Sequence, residues 1–246
     1  MKTILKLARS LRQKKFRDEH GLFLVQGPKL VGEMINADWP FGSVMATAEA
    51  AGRMGLSEAT IVPRHELDRI GTLESGNEVI ALARKPDRAF RPRPGTDELI
   101  LALDGIADPG NLGTVLRLAD WFGIDRVWCG KGSVEVFNPK CVQSSMGAIF
   151  RVTVEYMDLP EALTNEGAEG STIYLATMDG SSVFKERLAR RAVLVLGNES
   201  HGISEAVRAS GGKEVGIPGI GGAESLNVAM AATAFCTEFS RQRSLE

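Results

Sequence analysis

Three stretches of the chain combine side chains capable of polar chemistry with glycines that let a ligand come close. The first, Asp108-Pro-Gly-Asn111-Leu-Gly-Thr-Val-Leu-Arg117, opens a helix whose apolar stripe is Leu112, Val115, Leu116, Ala119 and Phe122. Helical spacing puts Gly113, Thr114 and Arg117 off that stripe, so a ligand could approach small residues beside one guanidinium. The forked donors of a guanidinium suit a phosphate or a carboxylate. The same residues also read as a plain helix start, with Asn111 as its cap and Arg117 as a surface cation. The second stretch is Val193-Leu-Val-Leu196-Gly197-Asn198-Glu199-Ser200-His201-Gly202, a buried strand opening into a loop. An ordinary strand-to-helix turn explains its glycines but not its adjacent amide and carboxylate. The third is Val215-Gly-Ile217-Pro218-Gly219-Ile-Gly221-Gly222-Ala-Glu-Ser225-Leu226-Asn227. Ser225 is suited to cap a helix there, leaving first-turn amides to attract an anion or a polar ligand edge.

Other chemistries fit poorly. Gly219-Ile-Gly221-Gly222 is not GxGxxG and lies too near the end of the chain for a dinucleotide-binding half to follow. No GxxxxGK[ST] phosphate loop occurs, and no Ser-His-Asp or Cys-His arrangement follows from spacing. Cys129, Cys141 and Cys236 are scattered, as are His20, His65 and His201, so neither a disulfide framework nor a metal site is expected.

The elements that must position these stretches form a regular pattern. At 246 residues the chain has room for two domains, and 43% hydrophobic with 24% charged residues is ordinary for a globular protein. No apolar run is long enough to span a bilayer and no hydrophobic signal core opens the chain, so a cytoplasmic location is expected. An amphipathic helix is expected over 2–14, a strand over Leu22 to Val25, a helix from Pro28, and a further apolar run from Val79 to Ala83. Three prolines between Lys85 and Gly95 break both helix and strand, which makes 85–96 a linker between domains at 1–84 and 97–246. Beyond it, strands at Leu99 to Leu103, Arg126 to Cys129, Arg151 to Val154, Ile173 to Ala176, Ala192 to Leu196 and Glu214 to Ile217 alternate with helices. The last helix runs from Ser225 to about Arg241. Short buried strands alternating with helices imply an α/β domain with a mostly parallel sheet. Ligands of such sheets bind beyond the carboxyl ends of the strands, where all three stretches lie.

Net charge is −2, yet Lys2, Lys6, Arg9, Arg12, Lys14, Lys15 and Arg17 precede the first carboxylate, and Arg84, Lys85, Arg88, Arg91 and Arg93 form a second basic cluster. Two such patches flanking one small domain tilt the reading toward RNA. A solvated helix face and a soluble linker account for either patch alone.

Taken together, the three stretches resemble the signature motifs of the SpoU or TrmH class of RNA methyltransferases in the SPOUT superfamily. Asn111 is followed six residues on by Arg117, then comes Leu-Gly-Asn-Glu at 196–199, then Ser225-Leu-Asn227 after Ile217-Pro218. The resemblance covers about 97–241. It extends more loosely to Phe16-Arg17 and Phe23-Leu24-Val25-Gln26-Gly27, which look like the small α/β RNA-binding domain such enzymes often carry. It implies a C-terminal parallel-sheet domain with a deep trefoil knot, an exception to the rule against knotted chains, and a homodimer. It implies S-adenosylmethionine as methyl donor, held near Thr177, Gly197, Ile217 and Leu226, with no metal. Asn111, Arg117, Glu199, Ser225 and Asn227 are the implied catalytic residues for transfer to a ribose 2′-hydroxyl. The segment 221–228 resembles modifiers of ribosomal RNA more than those of transfer RNA. Transfer RNA as substrate, or a non-catalytic RNA-binding protein that retains the fold, are the alternatives.

Overall fold

The computed structural model of the chain describes residues 2–72, 76–86 and 98–244. The chain divides into two units, one from residues 1–89 with 135–151, the other from residues 90–134 with 152–246. Most of the expected linker, 87–96 of 85–96, lies outside the described residues, and so do Arg88, Arg91 and Arg93.

The first unit contains a four-stranded sheet in the order β1-β4-β2-β3, from β1 (Leu22–Gln26), β2 (Phe41–Ala46), β3 (Thr60–Ile61) and β4 (Val79–Arg84). Side chains alternate across a strand. Leu24, Met45, Ile80 and Leu82 therefore share one face, where Ala8 from the N-terminal helix, Leu11 just beyond it, and Leu67 and Ile70 from α5 (Arg64–Ile70) bury them. Phe23 points the other way and meets the rings of Trp39 and Phe137 at 6.5 and 4.6 Å. The N-terminal helix is shorter than expected. α1 (Lys2–Ser10) stops, and α2 (Lys14–His20) begins a separate helix. The sequence continues amphipathic across the break, but Arg12 turns aside to donate to the carbonyls of Arg69, Ile70 and Gly71 at the end of α5 (Arg64–Ile70). Three more helices, α3 (Pro28–Asn36), α4 (Ala48–Met54) and α7 (Pro139–Ser144), complete this unit. α3 opens with its proline at the first turn, as expected.

The same unit overturns part of the basic-patch expectation. Arg17 is 2% exposed; its guanidinium bonds Glu135 at 3.0 and 2.5 Å and the carbonyls of Leu11 and Arg12 at 2.9 Å. Lys14 pairs with Asp18, and Lys85 reaches both Asp18 and Glu135. The buried Arg17 is structural, and Lys14 and Lys85 are already paired with carboxylates, whereas Lys6, Arg9 and Lys15 lie exposed.

The second unit carries six parallel strands in the order β10-β8-β9-β5-β6-β7. They are β5 (Leu99–Asp104), β6 (Arg126–Cys129), β7 (Thr153–Tyr156), β8 (Thr172–Ser182), β9 (Ala192–Gly197) and β10 (Lys213–Gly216). β5 and β9 are continuous apolar runs because both faces are covered. Ile100, Ala102, Val193 and Val195 pack with Leu159, Leu163 and Val207 from α8 (Leu159–Ala168) and α9 (Glu205–Ala209). Their neighbours Leu101, Leu103, Leu194 and Leu196 are equally buried on the side of α6 (Pro109–Trp121) and α10 (Val228–Ser244). From β5 the chain steps outward to β6 and β7, then returns to the other side of β5 for β8, β9 and β10. The reversal of strand order thus falls between β5 and β9, where an open α/β sheet leaves a crevice at its carboxyl end. Among the described residues no helix is long and apolar enough to cross a membrane.

Two boundaries differ from expectation in ways that bear on function. β8 does not end at Ala176; its pairing with β10 jumps from Leu175↔Glu214 to Ser181↔Val215, so residues 176–180 bulge out of one strand opposite a single step of the other. α10 starts at Val228, three residues later than expected.

Candidate active site

At the exit of β5, Asp108 rather than Asn111 caps α6, its Oδ1 accepting from the backbone N–H of Gly110 and Asn111 at 2.7 and 3.0 Å. Pro109 follows at the first helical position, where its missing donor costs nothing. With the cap supplied by its neighbour, the Asn111 side chain is free for other work. Its Nδ2 donates to Glu199 Oε1 at 2.8 Å, and its Oδ1 accepts from Asn227 Nδ2 at 3.0 Å. Three residues from three strand-exit segments therefore meet in one hydrogen-bonded row beyond the β5–β9 junction.

Asn227 is held as firmly. Its Oδ1 accepts from Ala229 and Met230 N–H at 2.9 and 3.4 Å, which makes it the cap of α10. The expectation that Ser225 caps this helix is corrected here. Both residue types cap well, but only Asn227 also carries a donor that reaches Asn111. Ser225 and Leu226 lie exposed in the loop just ahead of the cap.

Arg117 lies six residues beyond Asn111 on α6, about 9 Å along its axis, with exposed Thr114 between them. Its guanidinium is exposed and makes no hydrogen bond or ion pair with any described residue. Gly113 was placed on the same open face and is instead buried, since α6 is covered over a wider arc than its apolar stripe alone suggests.

The remaining candidates sit on loops bordering this row without bonding to it. Gly197 ends β9 at a place where a Cβ would lie 2.2 Å from the Gly202 carbonyl carbon. Thr177 lies in the bulge of β8, its hydroxyl on Glu214 at 3.2 Å. Ile217 follows β10 and is half-buried. The bulge and β10 pass so closely that a Cβ at Gly180 would be 2.5 Å from Val215 and one at Gly216 would be 2.8 Å from the Thr177 carbonyl. These loops offer a ligand backbone groups and the exposed apolar side chains of Met178, Ile220 and Leu226.

Asn198, Asp104 and Asp108 escaped the list of candidates. Asp108-Pro109 is a readable cap and first-turn proline, whereas the bonds made by Asn198 and Asp104 join segments nearly a hundred residues apart. Cysteine chemistry is remote: burial pushes Cys129 and Cys236 up to about 12. Among the described residues no three His, Cys, Asp or Glu side chains gather as metal ligands do. A cavity of about 240 Å³ bordered by Leu99, Phe122, Cys236 and Phe239 opens at the start of β5, the opposite end from the Asn111 row.

Known proteins resemble the chain in both sequence and fold. Residues 98–237 match the model of the SpoU rRNA Methylase family, and residues 2–86 match that of the MRM3-like substrate binding domain. The chain is 28% identical over 228 residues to the 23S rRNA (guanosine(2553)-2'-O)-methyltransferase RlmP of Bacillus subtilis, covering 91% of this chain and 90% of that protein. Among solved structures, a Porphyromonas gingivalis protein ascribed to the TrmH family of RNA methyltransferases superposes with a TM-score of 0.85 at 39% identity, over 97% of both chains. The SpoU methyltransferase AviRb from Streptomyces viridochromogenes, in complex with AdoMet, superposes with a TM-score of 0.87 at 27% identity, over 98% of this chain and 97% of that one.

Proposed function

Because the chain belongs to the SpoU rRNA methylase family, we propose that the Asn111–Glu199–Asn227 row and Arg117 form the centre of methyl transfer from S-adenosylmethionine to a ribose 2′-hydroxyl of ribosomal RNA. The chain is an S-adenosylmethionine-dependent RNA 2′-O-methyltransferase. The observation that carries the proposed site is the row itself, three polar side chains from separate loops bonded to one another, with Arg117 on the same helix as Asn111 and without a partner among the described residues.

The loops fit the donor. A sulfonium nucleoside needs an apolar slot for its purine and polar edges for its ribose and amino-acid groups. The exposed Leu226 and Met178, with Ile217 nearby, supply the former, and backbone around Thr177, Gly197 and 217–226 supplies the latter. Bound there, the donor provides a methyl group already attached to a good leaving group. What the chain must add is alignment of the hydroxyl and stabilisation of the charge that develops on its oxygen. Arg117 suits the second task as a cation, holding the adjacent phosphate and facing the developing alkoxide. As the O–CH3 bond forms and the S–CH3 bond breaks, the hydroxyl proton passes to water. Asn111 and Asn227 orient the sugar, Glu199 fixes the Asn111 amide, and Ser225 adds a hydroxyl at the same loop.

Ribosomal RNA is favoured because the Bacillus relative, matched over 90% of its length, is named for 23S rRNA, and residues 2–86 match a domain described as substrate binding. A homodimer is supported by the exposed Trp121 (84%) and Met230 (63%) on α6 and α10, two helices that pack together. A trefoil knot in the sheet domain is proposed from family membership. Buried thiols without disulfides suit the cytoplasm. Incubation of the protein with labelled donor and separated RNA fractions, followed by nucleoside analysis, tests this reading. It predicts a 2′-O-methylated nucleoside in ribosomal RNA; label on a base, or none on any RNA, would refute it.

A further inference from the structure

The loop leaving β9 is closed on itself. Asn198 N donates to Gly202 O and Gly202 N to Asn198 O, both at 2.9 Å, and Gly197 presses against Gly202 with no room for a Cβ. Only Glu199, Ser200 and His201 remain at the tip, so the direction of the tip depends on what anchors the base of the loop. Both anchors come from the end of β5. Asn198 Nδ2 donates to Gly105 O at 2.7 Å, while its Oδ1 accepts from the N–H of Ser200 and His201 at 2.8 and 3.2 Å. Asp104 Oδ2 accepts from Ser204 N–H at 2.7 Å at the far end of the loop. A carbonyl on one side and two N–H groups on the other permit one orientation of the Asn198 amide.

We propose that Asn198 is a positioning residue for methyl transfer: by tying the β9 loop to Gly105 it holds the Glu199 carboxylate where it accepts from Asn111. The inference rests on the assignment of Asn111 and Glu199 to the reaction. Glu199 is exposed and its bond to Asn111 spans 2.8 Å, so that contact depends on where the loop holds the carboxylate. A loop displaced by about 1 Å breaks such a bond, and misplacement on that scale costs up to about a hundredfold in rate.

Asn198→Asp is the same size and keeps an acceptor for Ser200 and His201 but presents an oxygen to the Gly105 carbonyl. The experiment measures kcat and the KM for RNA of the full chain, with S-adenosylmethionine and ribosomal RNA transcribed in vitro, alone and in a Glu199→Gln background. Asn198→Asp alone is expected to lower kcat about tenfold with KM changed less than about twofold. In the Glu199→Gln background its further effect is expected to be under about twofold, because the carboxylate it positions is already gone. A wild-type kcat, a change confined to KM, or equal losses in both backgrounds would overturn the proposal. Asn198→Ser, whose hydroxyl still caps the loop but cannot reach Gly105, gives the same reading if the first variant does not fold. Wild-type turnover by Glu199→Gln alone defeats the assignment of the site instead, and so separates the two failures.

Discussion

Asn227 joins the two ends of the catalytic unit: its Nδ2 donates to Asn111 at 3.0 Å while its Oδ1 caps α10. One side chain thus couples the start of the last helix to the start of the first helix of the sheet domain, 116 residues earlier. The two roles use different atoms, which makes them separable by substitution.

Asn227→Asp keeps an acceptor for the Ala229 N–H and removes the donor to Asn111. Aspartate caps as well as asparagine, so thermal stability should stay near wild type while methyl transfer falls about tenfold or more. Asn227→Ala should in addition cost about 1 kcal/mol in stability through loss of the cap. Thermal melts read beside initial rates check both; a wild-type rate for Asn227→Asp would count against the row.

Gly197 and Gly202 touch backbone to backbone, and an added methyl at Gly197 has only main chain to push against. Gly197→Ala should destabilise by about 1–3 kcal/mol and weaken S-adenosylmethionine binding about tenfold or more, since the loop proposed to border the donor must open. Calorimetric titration with donor alone, beside a urea melt, measures the two effects. Unchanged affinity would remove this loop from the donor site.

Arg17 and Glu135 form a pair with side chains 3% and 13% exposed. Removing one partner strands the other, so Glu135→Ala should cost about 3–5 kcal/mol, whereas Arg17→Met, which leaves only the less buried carboxylate and its Lys85 contact, should cost less. Urea unfolding followed by fluorescence gives the ranking, and the reverse order would contradict the structural role assigned to Arg17.

Acid should loosen the end of α10. The Arg241 guanidinium, at 2.8 and 2.6 Å, pulls Glu238 from the ordinary 4.5 down to about 2, with burial opposing it and Gln242 assisting. A carboxyl depressed in the folded state contributes stability fully above its ordinary value and loses it as pH falls toward the depressed one. The stability gap between wild type and Glu238→Gln should therefore be complete above 4.5 and close as pH approaches about 2. Urea melts across that range test this; a gap independent of pH would show that the carboxylate charge is not what matters.

Local pattern made much of the parallel sheet readable, because strands buried on both faces are written as unbroken apolar runs such as Leu99 to Leu103 and Ala192 to Leu196. The candidate residues were readable by motif, but their connections were not. Ser225 and Asn227 are equally good caps in isolation, and the choice between them falls to a bond with Asn111 that no local rule sees. Arg17 sits in a run of cations that looks solvated, while its partner Glu135 lies 118 residues away. The bulge at 176–180 is hidden for a similar reason: it exists because β10 returns to pair with β8 on either side of it.

Donor binding and activation of the sugar hydroxyl are expected to reside in different groups, with Arg117 serving only the second. Single-turnover methyl transfer by Arg117→Ala, measured with the dissociation constant of S-adenosylmethionine on the same preparation, tests this separation most directly. Transfer should fall about a hundredfold or more with donor affinity changed less than about twofold. Transfer at the wild-type rate, or a loss explained wholly by weaker donor binding, would contradict it.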